Sequence, residues 1–180
     1  MFESLYSMQD KICLVTGGSR GLGAFMAQGF LEAGAKRVYI TARKAEACLN
    51  AAKELSQFGE CIPLPGDVST AEGVTQLVTE LHKRETHLDV LVNNAGTAWG
   101  APFGQFPEIG WDKVMDVNVK SPFFLTQALT PLLTANANSK VSSSVINVGS
   151  IAGIVGNGLD TFSYAASKSA IHQLTRVLAN

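Results

Sequence analysis

Short apolar runs alternate with helical patterns along almost the whole chain. The runs have the length of β-strands and comprise residues 11–15, 37–41, 61–64, 88–92 and 143–148. Strands that are apolar on both faces are typical of a parallel sheet covered by helices on each side. The alternation therefore predicts an α/β fold in which a doubly wound parallel sheet forms a single domain.

Helical patterns fill the segments between these runs. They cover residues 24–33, 45–58, 71–83, 111–133 and 161 onward. Ser121-Pro122 interrupts the longest of them, and proline suits the first turn of a helix rather than its interior. We therefore expect a break at this point and two helices in sequence.

The composition is that of a globular protein without an evident affinity for nucleic acid or membranes. Hydrophobic residues make up 46% of the 180 residues, and the formal net charge is −1. So small a charge gives no electrostatic attraction to nucleic acid or anionic lipid. No apolar run reaches the length of a membrane span, and the first residues lack a signal-peptide pattern. We therefore predict a cytoplasmic protein.

The three cysteines are predicted to be reduced packing residues. Cys13, Cys48 and Cys61 are odd in number and are spaced like neither a zinc site nor a disulfide framework. The sequence therefore predicts no metal site.

The polar residues of interest follow directly after the apolar runs. They are Gly17–Gly23, Arg43, Asp67, Asn93–Gly96 and Ser150. In parallel sheets ligands bind beyond the carboxyl ends of the strands. The topology therefore predicts that these residues form one site.

A glycine-rich turn joins the first predicted strand to the first predicted helix. Its spacing is Gly17-x-x-x-Gly21-x-Gly23, which differs from the commoner dinucleotide pattern. Such a turn lets backbone N–H groups approach a pyrophosphate at the positive end of the helix dipole. We interpret it as a dinucleotide-binding turn; the alternative is a tight turn without a ligand.

The same turn also matches the nucleophile elbow of esterases. Gly17-Gly18-Ser19-Arg20-Gly21 has the form Gly-x-Ser-x-Gly. A hydrolase would then need Asp160 and His172 as partners of Ser19. We disfavour this interpretation because the turn follows the first strand and Gly23 has no purpose in an elbow.

The residues after the second run favour NADP over NAD. NAD-binding folds usually place an acid there to hold the ribose hydroxyls, whereas this chain has Thr41-Ala42-Arg43. Arg43 and Arg20 suit a 2′-phosphate through charge-assisted bonds. Glu46, three residues further on, is the main counter-evidence, and two solvated surface arginines are the alternative.

Tyr164 and Lys168 lie one helical turn apart. A phenol has a pKa of about 10, and lowering it to about 7 requires roughly 4 kcal/mol. One unit charge about 4 Å away supplies about 4 kcal/mol at an effective dielectric constant near 20. The pair therefore predicts an acid/base tyrosine; the alternative is an exposed pair on a helix.

Taken together, these motifs resemble the short-chain dehydrogenase/reductase family. The matching elements are Thr16-Gly17-x-x-x-Gly21-x-Gly23, Asp67, Asn93-Asn94-Ala95-Gly96, Asn118, Ser150 and Tyr164-x-x-x-Lys168. Residues 93–100 and 110–115 look like the 3-ketoacyl reductases of that family. The resemblance implies a Rossmann-type fold and an NADPH-dependent reduction of a ketone, such as a 3-oxoacyl thioester, to a secondary alcohol.

The resemblance also implies a role for each catalytic candidate. Tyr164 would be the general acid, and Lys168 would bind the nicotinamide ribose and lower the tyrosine pKa. Ser150 would bind the substrate oxygen; a strand-end serine is its alternative. Asn118 would lie at the helix break and hold a water that links Lys168 to solvent.

The cofactor residues follow in the same way. Asp67 would contact the adenine amino group, unless it only forms an Asx turn, and Asn93 with Ala95 and Gly96 would bracket the adenosine ribose. The predicted NADP(H) set is Gly17, Ser19, Arg20, Gly21, Leu22, Gly23, Arg43, Asp67, Val68, Asn94, Ala95, Gly96, Tyr164 and Lys168.

Family members continue well beyond the Tyr164–Lys168 helix. We therefore expect a C-terminally incomplete domain over residues 1–180, with an open sheet edge beyond the fifth strand. A non-catalytic NADP-binding or subunit-interaction module that results from truncation is the second hypothesis. The family pairs subunits through the helices at 111–133 and after 161, so the resemblance implies a homo-oligomer, a dimer or tetramer.

Overall fold

Five parallel strands form a single sheet in the order β3-β2-β1-β4-β5. The computed structural model describes residues 6–138, 142–156 and 158–179. The strands are β1 (Ile12–Thr16), β2 (Arg37–Thr41), β3 (Cys61–Pro63), β4 (Val90–Asn93) and β5 (Ser144–Asn147). The predicted doubly wound parallel sheet is confirmed, and the strand ends differ from the predicted runs by at most two residues.

Helices connect the strands. They are α1 (Gly21–Glu32), α2 (Ala45–Leu55), α3 (Ala71–His82), α4 (Glu108–Met115), α5 (Ser121–Thr134) and α6 (Phe162–Leu178), with 3₁₀ turns at Phe103–Gln105 and Ile151–Gly153. Among the described residues, no helix is long and apolar enough to cross a membrane.

Both faces of β1, β2 and β4 are buried under helices. Alternate residues of a strand point to opposite faces. Ile12 and Leu14 of β1 accordingly pack in one apolar cluster with side chains of α3 and α5. Cys13 and Val15 pack in a second cluster with side chains of α1 and α2. This two-sided burial explains why the strands read as continuous apolar runs.

The three cysteines all lie in the cluster beneath α1 and α2. Each is buried and carries a free thiol, which agrees with their prediction as packing residues. Burial raises the pKa of the Cys13 and Cys61 thiols to about 12.

The predicted pair of helices is confirmed, because α5 begins at Ser121 with Pro122 in its first turn, but the helical path is not interrupted there. The chain stays helical from α4 through a π-helical turn, Asp116–Lys120, into α5. Pro122 falls in the first turn of α5, where its missing N–H breaks no intrahelical bond. The irregularity lies instead in the π turn, which contains the buried side chain of Asn118. Such turns are frequent at functional sites.

β5 lies at one edge of the sheet and pairs with β4. Its side chains Val145 and Ile146 are 37% and 42% exposed. In the described part of the chain β5 therefore pairs on one side only.

A polar network closes the amino end of the sheet, remote from the site described below. Glu85, whose side chain is 7% exposed, forms an ion pair with Arg37 at the start of β2. Its Oε1 also accepts a hydrogen bond from Tyr39 Oη at 2.6 Å. Arg37 Nε lies 2.9 Å from Glu60 Oε2.

Candidate active site

The carboxyl ends of β1, β2 and β4 open on a cavity of about 730 Å³. Of the residues predicted to contact the cofactor, all except Asn93, Tyr164 and Lys168 line it; these are Gly17, Ser19, Arg20, Gly21, Leu22, Gly23, Arg43, Asp67, Val68, Asn94, Ala95 and Gly96. The lining that sequence reasoning missed is Thr41, Ala42, Lys44, Ala47, Gly66, Thr97 and Val117. Most of these are neighbours of predicted residues, and that adjacency was the available signal.

The glycine turn has the geometry of an anion cradle. Gly17 and Gly21 have φ angles of 65° and 56°, which a residue with a side chain rarely adopts. A Cβ on Gly23 would lie 2.3 Å from the Gly17 carbonyl oxygen. α1 begins at Gly21 without a side-chain cap from Arg20, so its first backbone N–H groups have no intrahelical acceptor. These groups border the cavity.

Thr16 and Asn94 fasten the glycine turn to the loop after β4. Thr16 Oγ1 accepts hydrogen bonds from the backbone N–H groups of Asn94 at 3.0 Å and Ala95 at 2.9 Å. Asn94 Nδ2 donates to the carbonyls of Thr16 at 2.8 Å and Gly17 at 3.2 Å. Asn94 therefore shapes the cradle as well as lining it.

Asn93 differs from the expectation. It does not line the cavity; its Nδ2 donates to Asn147 Oδ1 of β5 at 2.9 Å and to Thr126 Oγ1 of α5 at 3.2 Å. The expected ribose contact of Asn93 is wrong because its side chain points to the α5 side of the sheet and joins β4 to β5.

Asp67 lines the cavity and also forms the Asx turn considered as its alternative. Its Oδ1 accepts hydrogen bonds from Ser69 N at 3.0 Å and Ser69 Oγ at 2.7 Å. The turn uses one carboxylate oxygen, so the second oxygen remains able to accept a bond from a ligand amino group.

Cationic side chains surround the cavity beside β2. Arg20, Arg43 and Lys44 are all exposed and all line it. Glu46 does not line it. The local charge therefore suits a phosphate group.

α6 places Lys168 against Tyr164. Lys168 Nζ lies 5.8 Å from the centre of the Tyr164 ring and donates to the Val148 carbonyl at 2.6 Å. The lysine is only 7% exposed, and its burial lowers the pKa of the ammonium group. A buried cation thus lies beside a half-buried phenol.

The Asn118 side chain joins the π turn to α6. Its Oδ1 accepts from Thr97 N at 2.9 Å, and its Nδ2 donates to Thr97 O at 2.9 Å and to Ser167 Oγ at 3.0 Å. Ser167 Oγ donates to the Tyr164 carbonyl at 2.7 Å. Asn118 therefore braces the helix turn that carries the tyrosine; its predicted contact with a water stays a prediction.

Ser150 follows β5 and begins the 3₁₀ turn Ile151–Gly153. Its Oγ accepts from Ala152 N at 3.2 Å, which leaves its hydroxyl hydrogen for another acceptor. Its backbone N–H donates to His172 Nε2 of α6 at 3.4 Å. His172 thus contacts Ser150 rather than Ser19, and the esterase alternative lacks its histidine.

Metal chemistry has no ligand set in the described part of the chain. No group of three or more His, Cys, Asp or Glu residues there could hold a metal ion.

Comparison with known proteins agrees with this geometry. A sequence model of the short chain dehydrogenases matches residues 11–180, and the chain belongs to that family of oxidoreductases. It is 49% identical to the rhamnolipids biosynthesis 3-oxoacyl-[acyl-carrier-protein] reductase of Pseudomonas aeruginosa, over 97% of this chain and 68% of the relative.

Two further comparisons describe the breadth of the family. The chain is 33% identical to the 2-dehydro-3-deoxy-D-gluconate 5-dehydrogenase of Escherichia coli, over 100% of this chain and 69% of the relative. The solved Pseudomonas aeruginosa RhlG/NADP active-site complex superposes with a TM-score of 0.94 at 49% identity, covering 97% of this chain and 68% of that one.

Proposed function

We propose that this chain is an NADPH-dependent reductase that converts a ketone into a secondary alcohol, with 3-oxoacyl thioesters as the substrate class. One observation supports the proposal most directly: the Tyr164–Lys168 pair lies beyond the carboxyl end of β5, and Lys168 Nζ would be 4.0 Å from a Cβ on Gly96, which lines the cavity that fits a dinucleotide. The similarity to a 3-oxoacyl-[acyl-carrier-protein] reductase supports the substrate class.

The residues present fit NADP. The uncapped start of α1 and the Gly23 approach to Gly17 leave room and N–H donors for a pyrophosphate. Arg43, Arg20 and Lys44 would hold the 2′-phosphate. Lys168 would bind the nicotinamide ribose. The bound cofactor supplies the hydride that reduces the carbonyl carbon.

Side chains of this protein then transfer the proton and stabilise the charges that develop. Tyr164 donates its phenolic hydrogen to the carbonyl oxygen as negative charge develops there. The Lys168 ammonium, held near the ring by Val148 O, stabilises the phenolate left behind. Ser150 donates its hydroxyl hydrogen to the same carbonyl oxygen, which stabilises the oxyanion in the transition state.

Exposed apolar side chains flank the catalytic candidates and suit an acyl chain. Ile151 and Ile154 follow Ser150 and are 71% and 74% exposed. Phe103, also exposed, packs against Phe162 at the start of α6, with ring centres 5.6 Å apart. A sugar acid would gain little from such a surface, because burying apolar area on binding favours apolar ligands.

Replacing Tyr164 tests the proposal. Tyr164→Phe removes the acid but keeps the ring, so kcat for a panel of 3-oxoacyl thioesters should fall at least about 100-fold while NADPH binding stays unchanged. Tyr6→Phe, at an exposed tyrosine outside the site, is the matched control. Wild-type protein that binds NADPH but reduces no ketone would favour the non-catalytic NADP-binding or subunit-interaction module.

Replacing Arg43 tests the cofactor assignment. Arg43→Ala should raise the Kd for NADPH about 10-fold or more, the loss expected for a charge-assisted bond, and leave the Kd for NADH nearly unchanged. Lys36→Ala, an exposed cation that does not line the cavity, serves as control in the same fluorescence titration. Equal losses for both cofactors would contradict a 2′-phosphate contact.

We also infer that copies of the chain associate through the surface of α4, α5 and α6. Ile109, Phe124 and Val177 on these helices are 73%, 47% and 59% exposed. Burying such side chains favours association. Light scattering should therefore give a mass at least twice that of one chain, and a monomer at micromolar concentration would contradict this.

A further inference from the structure

A series of side chains on one side of α6 holds the segment that leaves β5. Lys168 Nζ donates to Val148 O at 2.6 Å, and Ser169 Oγ donates to Gly153 O at 2.6 Å. Thr175 Oγ1 accepts from Asn147 Nδ2 at 3.0 Å. Residues 147–153, which include Ser150, are therefore held against the helix that carries Tyr164.

His172 makes the contact with Ser150 itself. Its half-buried ring accepts the Ser150 backbone N–H at Nε2, with 3.4 Å between the nitrogens. Gly149 lies directly under the ring tip, where a Cβ would be 2.3 Å from Nε2. The histidine thus contacts the peptide that joins Gly149 to Ser150, by a long hydrogen bond and by close packing together.

The bond sets a requirement on the imidazole. Nε2 accepts only when it carries no hydrogen, so the contact requires the form of the ring whose hydrogen is on Nδ1. The serine hydroxyl is separately held by Ala152 N. Backbone and side chain of Ser150 are therefore fixed by different groups, and His172 supplies the link to α6.

We propose that His172 is a positioning residue for the reduction: it holds Ser150 at the distance from Tyr164 at which both hydroxyls reach one carbonyl oxygen. The inference rests on the proposed function. Its physical basis is that rates depend steeply on the placement of groups that contact the reacting atoms. His172 itself touches neither substrate nor cofactor in this arrangement.

Two substitutions of His172 distinguish a role as hydrogen-bond acceptor from a role in packing alone. His172→Phe keeps the ring volume without the acceptor and should lower kcat about tenfold with KM for NADPH nearly unchanged. His172→Gln presents an amide oxygen near the position of Nε2 and should restore most of that loss. The opposite order, with phenylalanine the better substitute, would overturn the proposal. His172→Asn, too short to reach Ser150, is the second loss variant if phenylalanine impairs folding.

A double-mutant cycle tests whether His172 acts through Ser150. In a Ser150→Ala background, His172→Phe should lower kcat no further, because the hydroxyl being positioned is already gone. A full additional tenfold loss, equal to that in the wild-type background, would mean that His172 acts independently of Ser150 and would overturn the proposal.

Hydrogen exchange separates this inference from the proposed function. Without substrate, the Ser150 amide should exchange faster in His172→Phe than in wild type or His172→Gln, while the amides of α6 keep their protection. An unchanged exchange rate at the Ser150 amide would contradict its hydrogen bond to His172 and would overturn the proposal. A protected amide in a wild-type protein that reduces no ketone would instead contradict the proposed function and leave the contact intact.

Discussion

Lys168 illustrates how much of this site depends on single side chains. Its ammonium group is nearly buried and has one described acceptor, the Val148 carbonyl. Burying a charge costs free energy unless it is paired, and that cost lowers the pKa of the group. Because the folded pKa lies below its usual 10.5, the charged lysine destabilises the fold, and this cost is relieved as the pH rises from the lowered pKa towards 10.5.

The buried thiols give a prediction at the same scale. Thiolates react and thiols do not, so Cys13 and Cys61, whose pKa values are raised to about 12, should resist alkylation at pH 8 in the folded protein. Mass spectrometry should find all three cysteines labelled only after addition of denaturant. Rapid labelling of the native chain would contradict their burial.

The same shifts predict an alkaline loss of stability. The folded pKa is raised above its ordinary value of 9.0, so the folded state retains protons that the unfolded state releases. The stabilisation is fully present below pH 9 and is lost as the pH rises through about 12. The two thiols lose this stabilisation over a pH range in which Lys168 changes stability in the opposite direction, and two large shifts outweigh one, so urea unfolding between pH 8 and 11 should show a falling midpoint. Cys13→Ser should make the fall with pH less steep.

At the scale of elements, the turn between β1 and α1 couples chain geometry to ligand binding. After its first residue, Gly21, α1 contains two further glycines with different surroundings. A Cβ on Gly23 would meet the Gly17 carbonyl at 2.3 Å, whereas a Cβ on Gly29 would meet nothing within 4 Å. Position 23 therefore requires glycine because the Gly17 carbonyl lies so close, whereas position 29 has room for a side chain.

These two glycines form a matched pair of variants. Gly23→Ala should displace the glycine turn and weaken NADPH binding about 10-fold or more, because the N–H groups at the helix start lose their alignment. Gly29→Ala should leave binding unchanged and stabilise the fold by about 0.5–1 kcal/mol, since alanine is the better helix former. Calorimetric titration and urea unfolding check both outcomes; equal binding by the two variants would contradict the cradle.

The π turn shows how an element departs from its local sequence pattern. Proline at 122 indicates a break, yet the backbone tolerates it in the first turn of α5. The extra residue of the π turn instead accompanies the Asn118 bonds to Thr97 and Ser167. The sequence pattern located the boundary between the two helices but not the π turn that joins them.

At the scale of the whole molecule, the carboxyl ends and the amino ends of the strands have different roles. The carboxyl ends carry the candidate active site, and the amino ends carry the Glu85 network with Arg37 and Tyr39. Stability and chemistry should therefore respond to different substitutions.

Replacing Glu85 tests that separation. Glu85→Gln removes the charge opposite Arg37. Because the arginine side chain is 23% exposed, the free energy of unfolding should fall by about 1–3 kcal/mol, less than the full penalty for breaking a buried ion pair. The rate of ketone reduction at 25 °C should stay the same. Glu80→Gln, which breaks only exposed pairs with Lys83 and Arg84, is the control and should leave the unfolding midpoint unchanged.

The sequence by itself determined what depends on neighbours along the chain. Apolar runs defined the strands, glycine spacing defined the turn, and a spacing of one helical turn placed Lys168 beside Tyr164. These features follow from backbone sterics and from the period of each element, so a short window of residues suffices.

Only the tertiary structure decided what depends on segments far apart in the chain. It directed Asn93 to β5 and Asn94 to the glycine turn, although they are adjacent. It also brought His172 to Ser150, 22 residues away. The physical reason is that such contacts depend on how α6 and the sheet approach each other, and that approach is decided by the packing of the whole core.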